Sequence, residues 1–370
     1  MASGKYGRSA RRGPHLVYDL RGSFFEVGLQ HGRLLKSEIV EEAGPALKVF
    51  SENLGKSEGK ALDWIVSRYE PVFMDLVPSA IEEIRGMAEG SGLGYPYAFF
   101  AATRDGMKMP GRGKPIDTGS LDPSCTAFVC GKEATRDGKV LVGQTKDTVA
   151  PLSRYRIMRV VLASGERRVL LNYPGWMANI CVTSRGMAFT GNSLYAREPD
   201  GETVPFSLLK RLVLESRSVS EVLKKIEGLS FENLCTMMGD AGGHLVCLET
   251  AAGRRWIKDV SGQAFGHANS VLSPELKSYD SVPPVLASSP VRQRNIQRLL
   301  DEKRGDITVQ DLKVMLADHT DFPRSICRHP SEEEDLVTTA AYICDLTEKQ
   351  IHIVVGNPCL ADFKTYDLRF

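Results

Sequence analysis

The sequence predicts an α+β fold, and three observations carry the prediction. Helical periodicity dominates the chain up to about residue 120. A segment with three prolines and three glycines, 107–124, then interrupts it. Beyond it, short strand-like runs recur at hairpin spacing, and helices return in separate blocks rather than after every strand.

The first helix follows Gly22-Ser23, with Ser23 as its N-cap. Phe24, Val27, Leu34 and Leu35 fall on one face, and His31 shares it, which predicts a hydrogen-bonded core histidine. Gly28 and Gly32 cost this helix about 1 kcal/mol each against alanine, so they point to close packing against another backbone. Further helices are predicted at 61–69 and 79–89, with Pro71 and Pro78 as breaks, and a short one after Pro96. Strands are predicted at 126–130, 140–143, 156–162, 168–172, 180–183, 187–190, 244–249, 338–345 and 351–356. Helices return at 206–215, 219–226, 290–301 and 308–319. The acidic run 332–335 reads as a solvated loop.

Of the 370 residues, 42% are hydrophobic and 25% charged, which suits a folded chain with a sizeable core. With 47 Lys and Arg against 46 Asp and Glu, no global charge points to nucleic acid or an anionic membrane as partner. No uncharged apolar run approaches the ~18–20 residues that span a bilayer. The first 14 residues carry Lys5, Arg8, Arg11 and Arg12 without an acid or an apolar stretch. They read as a solvated terminus, with an organelle transit peptide as the alternative and no secretory signal. The eight cysteines read mostly as small buried hydrophobes in a reducing, cytoplasmic setting.

No dinucleotide-binding glycine pattern, Walker A, H-E-x-x-H, G-x-S-x-G or C-x-x-C is present, and the seven histidines lack metal-ligand spacing. Neither a metal nor a cofactor is implied. What remains is Cys125, where the Pro/Gly-rich segment meets the first strand. It follows Asp122-Pro123-Ser124 rather than an apolar run, so a nucleophile and a semi-buried strand-start cysteine both stand as readings. Cys130, inside an apolar run, reads as structural.

Ser124-Cys125-Thr126-Ala127-Phe128, followed by 138–147, resembles the acyl-coenzyme A:6-aminopenicillanate (isopenicillin N) acyltransferase-like family of N-terminal-nucleophile cysteine hydrolases. Choloylglycine hydrolases are more distant relatives of that family. Residues 26–32, 87–92, 266–269, 288–292, 318–319, 325–329 and 356–359 resemble further family segments in the same order, so the resemblance spans nearly the whole chain.

The resemblance implies a four-layer αββα sandwich made as a precursor that cuts itself at Ser124–Cys125. The products would be a mainly helical α chain, 1–124, and a β chain, 125–370, which stay associated as one domain. A loop conformation is expected at the scissile bond. The freed Cys125 amine would serve as its own general base, since an α-amine has an ordinary pKa of ~7.7–8.0. The thiol would attack an amide carbonyl of a small linear N-acyl compound and form a thioester. The resemblance further implies that Asp147 orients the amine and that Asn192 is an oxyanion donor. It gives Asn269 as another site amide and Arg292 as the cation beside thiolate or substrate.

Read without the resemblance, Asp147 and Asn192 are turn residues and Arg292 a solvated residue in a helix's first turn. Two departures stand out. Ser124 replaces the usual glycine before the nucleophile, and Gln144-Thr145-Lys146 precedes Asp147 where relatives often have Asn-Trp.

The expected activity is that of a self-processing amidohydrolase or acyltransferase. Hydrolysis is preferred, because no feature of the sequence provides for excluding water in favour of an acceptor amine. A coenzyme A thioester is an alternative acyl donor, although no phosphate-binding motif supports it. Two rivals remain: an unprocessed, non-catalytic binding or structural member of the same fold, and a conventional hydrolase pairing uncut Cys125 with His267.

Overall fold

A capping box opens the first helix. The Ser23 amide donates to Glu26 Oε2 at 2.7 Å, and the Glu26 amide donates to Ser23 Oγ at 3.2 Å. The computed structural model describes residues 16–104, 124–149, 155–197, 199, 201–281, 287–332 and 336–370. Most of the Pro/Gly-rich segment 107–124 and residues 333–335 of the acidic run therefore lie outside the described residues.

Strand β1 (Val17–Gly22) precedes four helices: α1 (Phe24–Leu54), α2 (Glu58–Leu76), α3 (Pro78–Ser91) and α4 (Tyr95–Thr103). Pro71 does not break α2 as expected. Ala61, Ile65, Tyr69 and Phe73, four residues apart, bury one face on both sides of it and hold the helix together. Pro78 does act as a start signal, at the first position of α3, where its missing N–H has no helical partner to lose. His31 is buried, accepts a hydrogen bond at Nε2 from the Gly175 amide at 3.0 Å, and is pushed down to about 4 by burial.

Gly28 and Gly32 of α1 face Gly86 and Gly90 of α3. A Cβ at Gly28 would lie 1.9 Å from Glu83 O, and one at Gly86 would lie 1.9 Å from Phe25 O. Here the missing side chains are what allow the two backbones to touch.

Nine strands form the first sheet. Its path runs β1, β4 (Arg156–Leu162), β5 (Arg167–Asn172), β6 (Ile180–Thr183), β7 (Met187–Phe189), β9 (Leu234–Asp240), β10 (Leu245–Ala251) and β11 (Arg254–Asp259), with the short β8 (Asn192–Ser193) on β9. Six strands form the second, in the order β12 (Ala264–His267), β2 (Ser124–Cys130), β3 (Leu141–Val149), β13 (Leu336–Asp345), β14 (Gln350–Val355) and β15 (Lys364–Asp367).

Three cores separate four layers. The first packs α1–α4, α5 (Phe206–Glu215) and α6 (Val219–Lys225) on one face of the nine-stranded sheet, through residues such as Met158, Val160, Phe189 and Leu248. The second lies between the sheets and takes Ala127, Val129, Ile157 and Val169. The third places Phe128, Cys130 and Leu141 against Ile296 and Leu300 of α7 (Ser289–Glu302) and Leu312 and Leu316 of α8 (Val309–Leu316). Alternation along β2 thus feeds two cores from one strand. The expected αββα sandwich is the fold.

Strands β1, β8, β9, β11, β12 and β15 escaped the sequence pattern. Strand β11 is a largely exposed edge strand, without a continuous apolar run to mark it.

The glycine packing is testable by thermal melting. Gly28→Ala should destabilise the chain by roughly 1–3 kcal/mol, the usual range for overpacking. Gly59→Ala, in an exposed turn of α2 with nothing near a new Cβ, should be neutral or stabilise by up to about 1 kcal/mol. Equal effects at both positions would contradict the close-approach argument.

Candidate active site

Cys125 is the second residue of β2. On one side β3 pairs with the strand to its end, setting Ser124 opposite Asp147 and Cys125 opposite Lys146. On the other side β12 stops at Ala127, paired with His267. Beyond that point side chains replace the missing strand. Asn269 Oδ1 accepts a hydrogen bond from the Cys125 amide at 3.0 Å. Arg292 Nη1 donates to the Cys125 carbonyl at 2.5 Å and to Thr126 Oγ1 at 2.9 Å, and its Nη2 donates to Asn269 Oδ1 at 2.8 Å.

Both partners are themselves held. The Asn269 amide donates to Ser289 Oγ at 2.9 Å, its Nδ2 donates to Ser193 O at 3.0 Å, and Arg292 Nε donates to Ser288 Oγ at 3.3 Å. Cys125, Asn269 and Arg292 are all buried. Arg292 is therefore not a solvated first-turn residue. The loop expected at the Ser124–Cys125 peptide is not found: both residues lie in the β2–β3 ladder, and on the other side the Asn269 and Arg292 clamp stands where β12 is missing.

The pleat sends the Cys125 thiol toward the inter-sheet side, with Ala127 and Val129. Gln144 and Lys146 of β3 converge there on Gly191. Gln144 Nε2 donates to Gly191 O at 2.6 Å, the Gly191 amide returns a bond to Gln144 Oε1 at 3.0 Å, and Lys146 Nζ donates to Gly191 O at 3.1 Å. The Tyr342 hydroxyl donates to Gln144 Oε1 at 2.9 Å. Burial pushes the Cys125 thiol up, Lys146 pulls it down, Asp147 raises it, and Arg292 and Gln144 lower it; the balance is upward. Gln144 and Lys146 act on the Cys125 thiol, and the sequence marked them only as a departure. The ladder register opposite Cys125 would have found Lys146.

Asn192 Nδ2 donates to Ala268 O at 2.8 Å and His267 O at 3.2 Å, so both of its amide hydrogens are engaged. Its place is in β8, not in a turn. Asp147 likewise lies inside β3 rather than on the turn after it, because that strand runs on to Val149. It accepts from Thr338 Oγ1 at 2.8 Å. In this arrangement the Cys125 N–H goes to Asn269, and Asp147 stands across from Ser124. Burial raises the Asp147 pKa more than Arg292 and Arg328 lower it. Arg328 was not singled out from the sequence, yet its Nη1 donates to Ser124 Oγ at 3.0 Å. Burial, with repulsion from Arg292, brings Arg328 down to about 10.

His267 is fully buried, with Nε2 2.7 Å from Glu249 Oε1 and Nδ1 2.8 Å from Ala268 O. A carbonyl and a carboxylate both accept, so this pairing assigns both ring nitrogens as donors and the ring as an imidazolium. Burial lowers its pKa, but the bond and charge of Glu249, with Cys247 and Ala268, outweigh this and raise it. Neither nitrogen is left to take a proton from Cys125, so the geometry does not supply the Cys–His pairing.

The sequence pattern of the acyl-coenzyme A:6-aminopenicillanic acid acyl-transferase family matches residues 134–359. The chain belongs to this family. The match takes in Asp147, Asn192, Asn269 and Arg292 and begins after Cys125. Among curated relatives of this acyl-transferase family, the 40 kDa form of acyl-coenzyme A:6-aminopenicillanic-acid-acyltransferase from Emericella nidulans is 24% identical over 343 residues, covering 91% of this chain and 92% of its own. Among solved structures, a mutant of the conjugated bile acid hydrolase of Clostridium perfringens aligns with a TM-score of 0.42 at 12% identity, over 66% of this chain and 96% of that one. Penicillin V acylase from Agrobacterium tumefaciens aligns at 0.39 and 14% identity, over 67% and 79%.

The buried ion pair gives a pH test of stability. His267 is raised above its ordinary 6.5, so its contribution is complete below that value and is lost as pH rises through the folded pKa. Glu249 is lowered below its ordinary 4.5, mainly by the His267 hydrogen bond against the burial penalty, so its contribution holds above 4.5 and is lost as pH falls through the folded value. Glu249→Gln should cost ~3–5 kcal/mol where both groups are charged, as for breaking a buried pair. Denaturant titrations should show the gap from the parent widest between pH 4.5 and 6.5 and narrowing at higher and lower pH. A gap independent of pH would contradict the imidazolium assignment.

Proposed function

We propose that this chain is a precursor that cuts its own Ser124–Cys125 bond, and that Cys125 then cleaves a linear amide of a small N-acyl compound. In the first step the Cys125 thiol attacks the Ser124 carbonyl, the acyl group moves from nitrogen to sulfur, and water resolves the thioester. This frees a carboxylate on Ser124 and an amine on Cys125. In the second, the amine takes the thiol proton, the sulfur attacks the substrate carbonyl, the substrate amine leaves protonated, and water or an acceptor amine releases the acyl group.

The observation that carries this reading is the clamp on Cys125. Its own N–H and C=O are fastened by Asn269 and Arg292 rather than by a neighbouring strand. Loss of Ser124 therefore leaves the new terminus where it was. Arg292 and Arg328 disfavour the ammonium form of the freed amine, and Asp147 favours it. Asn192 is the oxyanion donor in this reading and gives up the longer of its two bonds, at 3.2 Å, to serve. The Emericella relative is named for acyl transfer involving coenzyme A and 6-aminopenicillanic acid. An acyl-coenzyme A donor would enter at the same thioester.

The direct test is acyl trapping. Protein is exposed to N-acyl amino acids, bile-salt conjugates and penicillins, quenched in acid and weighed intact. The fragment beginning at Cys125 should gain the mass of one acyl group, and Cys125→Ala should remain a single unmodified chain. Failure of every substrate to give either adduct or turnover would overturn the reading.

Two kinetic predictions follow from the same geometry. Asn192→Ala should lower kcat by ~10²–10³ with little change in KM, the usual loss for one oxyanion donor; an unchanged kcat would remove Asn192 from the reaction. The acidic limb of kcat/KM should report the amine, near its ordinary ~7.7–8.0 or below. Arg292→Ala removes a neighbouring cation and should move that limb to higher pH, and a limb that stays fixed would uncouple Arg292 from the nucleophile.

A further inference from the structure

We infer a zinc-binding site formed by His319, Cys327, His329 and Cys359, separate from the thiol of Cys125. The four donor atoms lie within 4.8 Å of one another, although the sequence spacing of these residues matches no zinc-finger pattern. They come from three places: the segment after α8, the segment leading to β13, and the turn after β14. The topology of the six-stranded sheet brings these together at one end of the third core.

The distances between donors argue for an ion. The two sulfurs are 3.6 Å apart, the two histidine Nε2 atoms 3.0 Å, Cys327 Sγ and His329 Nε2 3.7 Å, and Cys359 Sγ and His329 Nε2 3.2 Å. A tetrahedron drawn with Zn–S of about 2.3 Å and Zn–N of about 2.0–2.1 Å has edges of about 3.8 Å for S–S, 3.3 Å for N–N and 3.6 Å for mixed pairs. All four distances fall within about 0.4 Å of those edges. Two thiolates and two neutral imidazoles neutralise a divalent cation, so binding releases two protons and leaves no net charge in a cluster where Cys327 and His329 are buried. Cys359 is exposed and gives the ion a way in. Two sulfurs and two nitrogens in a tetrahedron favour zinc over the hard cations, which prefer oxygen.

The site would also act on its surroundings. Arg328 lies between two of the ligands. Its amide donates to Thr338 Oγ1 at 2.9 Å, its carbonyl accepts from Asn357 Nδ2 at 2.7 Å, and its guanidinium reaches Ser124 Oγ. An ion gripping Cys327 and His329 would fix that backbone and so hold Arg328 against the Ser124–Cys125 bond.

The experiment is metal analysis of the purified full-length chain, followed by chelation and titration with Co²⁺. About one zinc per chain is expected. Cys359→Ser should reduce it by at least tenfold, and Co²⁺ should give the visible bands of a tetrahedral site together with thiolate charge transfer. Cys327→Ser provides a second variant, and the Co²⁺ spectrum of the parent needs neither variant to fold. A metal-free protein whose Cys327 and Cys359 are joined in a disulfide, lighter by two hydrogens, would overturn the proposal. So would zinc retained undiminished in both serine variants, or Co²⁺ that stays octahedral.

Discussion

Everything at this end of the molecule depends on how the amide of Cys125 is held once β12 has ended. A strand that loses its neighbour normally exposes an N–H and a C=O, and burying them unsatisfied would be costly. Here Asn269 takes the N–H and Arg292 takes the C=O, and the two are tied to each other. Arg292 can be buried in the first turn of a helix, against the sense of the helix dipole, because its guanidinium is shared among Cys125, Thr126 and Asn269. The same network explains why strand order matters: Asn269 lies two residues past the end of β12, and Arg292 belongs to the helix packed over β2.

The His267–Glu249 pair belongs to this support rather than to proton transfer. Glu249 also accepts from the amides of Leu272 and Ser273, each at 2.9 Å, while His267 donates to the carbonyl of Ala268. The segment that presents Asn269 is thus anchored on both sides to a charge buried in β10. Asn192 adds a further tie, from β8 to the carbonyls of residues 267 and 268. A histidine close in sequence to a site amide invited a general-base reading, and its surroundings turn it into a strut.

Much of the layering was legible in the sequence, because the apolar runs of β2 and β4 and the apolar faces of α1 and α5 reflect the cores they fill. Gly28 and Gly32 signalled close helix packing for the physical reason later seen, an approach that a Cβ would forbid. The exposed edge strand β11 was not legible, nor was the extension of β3 through Asp147, a polar residue beside Arg292 and Arg328 rather than in an apolar core. Arg292, Asn269 and Asn192 came from resemblance alone; no local pattern distinguishes them from turn or surface residues. Arg328 and the histidine–cysteine cluster fall in the family-like segments 318–319, 325–329 and 356–359, but they received no role because these residues meet only through the sheet and linear spacing does not show it.

The central claim is that Cys125 becomes a chain terminus without leaving its clamp. The most direct measurement is the mass and amino-terminal sequence of freshly expressed wild-type protein as it co-purifies. The account predicts two fragments in equal amounts that elute together, one beginning at Cys125. A single intact chain that persists under conditions where the protein is folded, or a cut at any other bond, would contradict it.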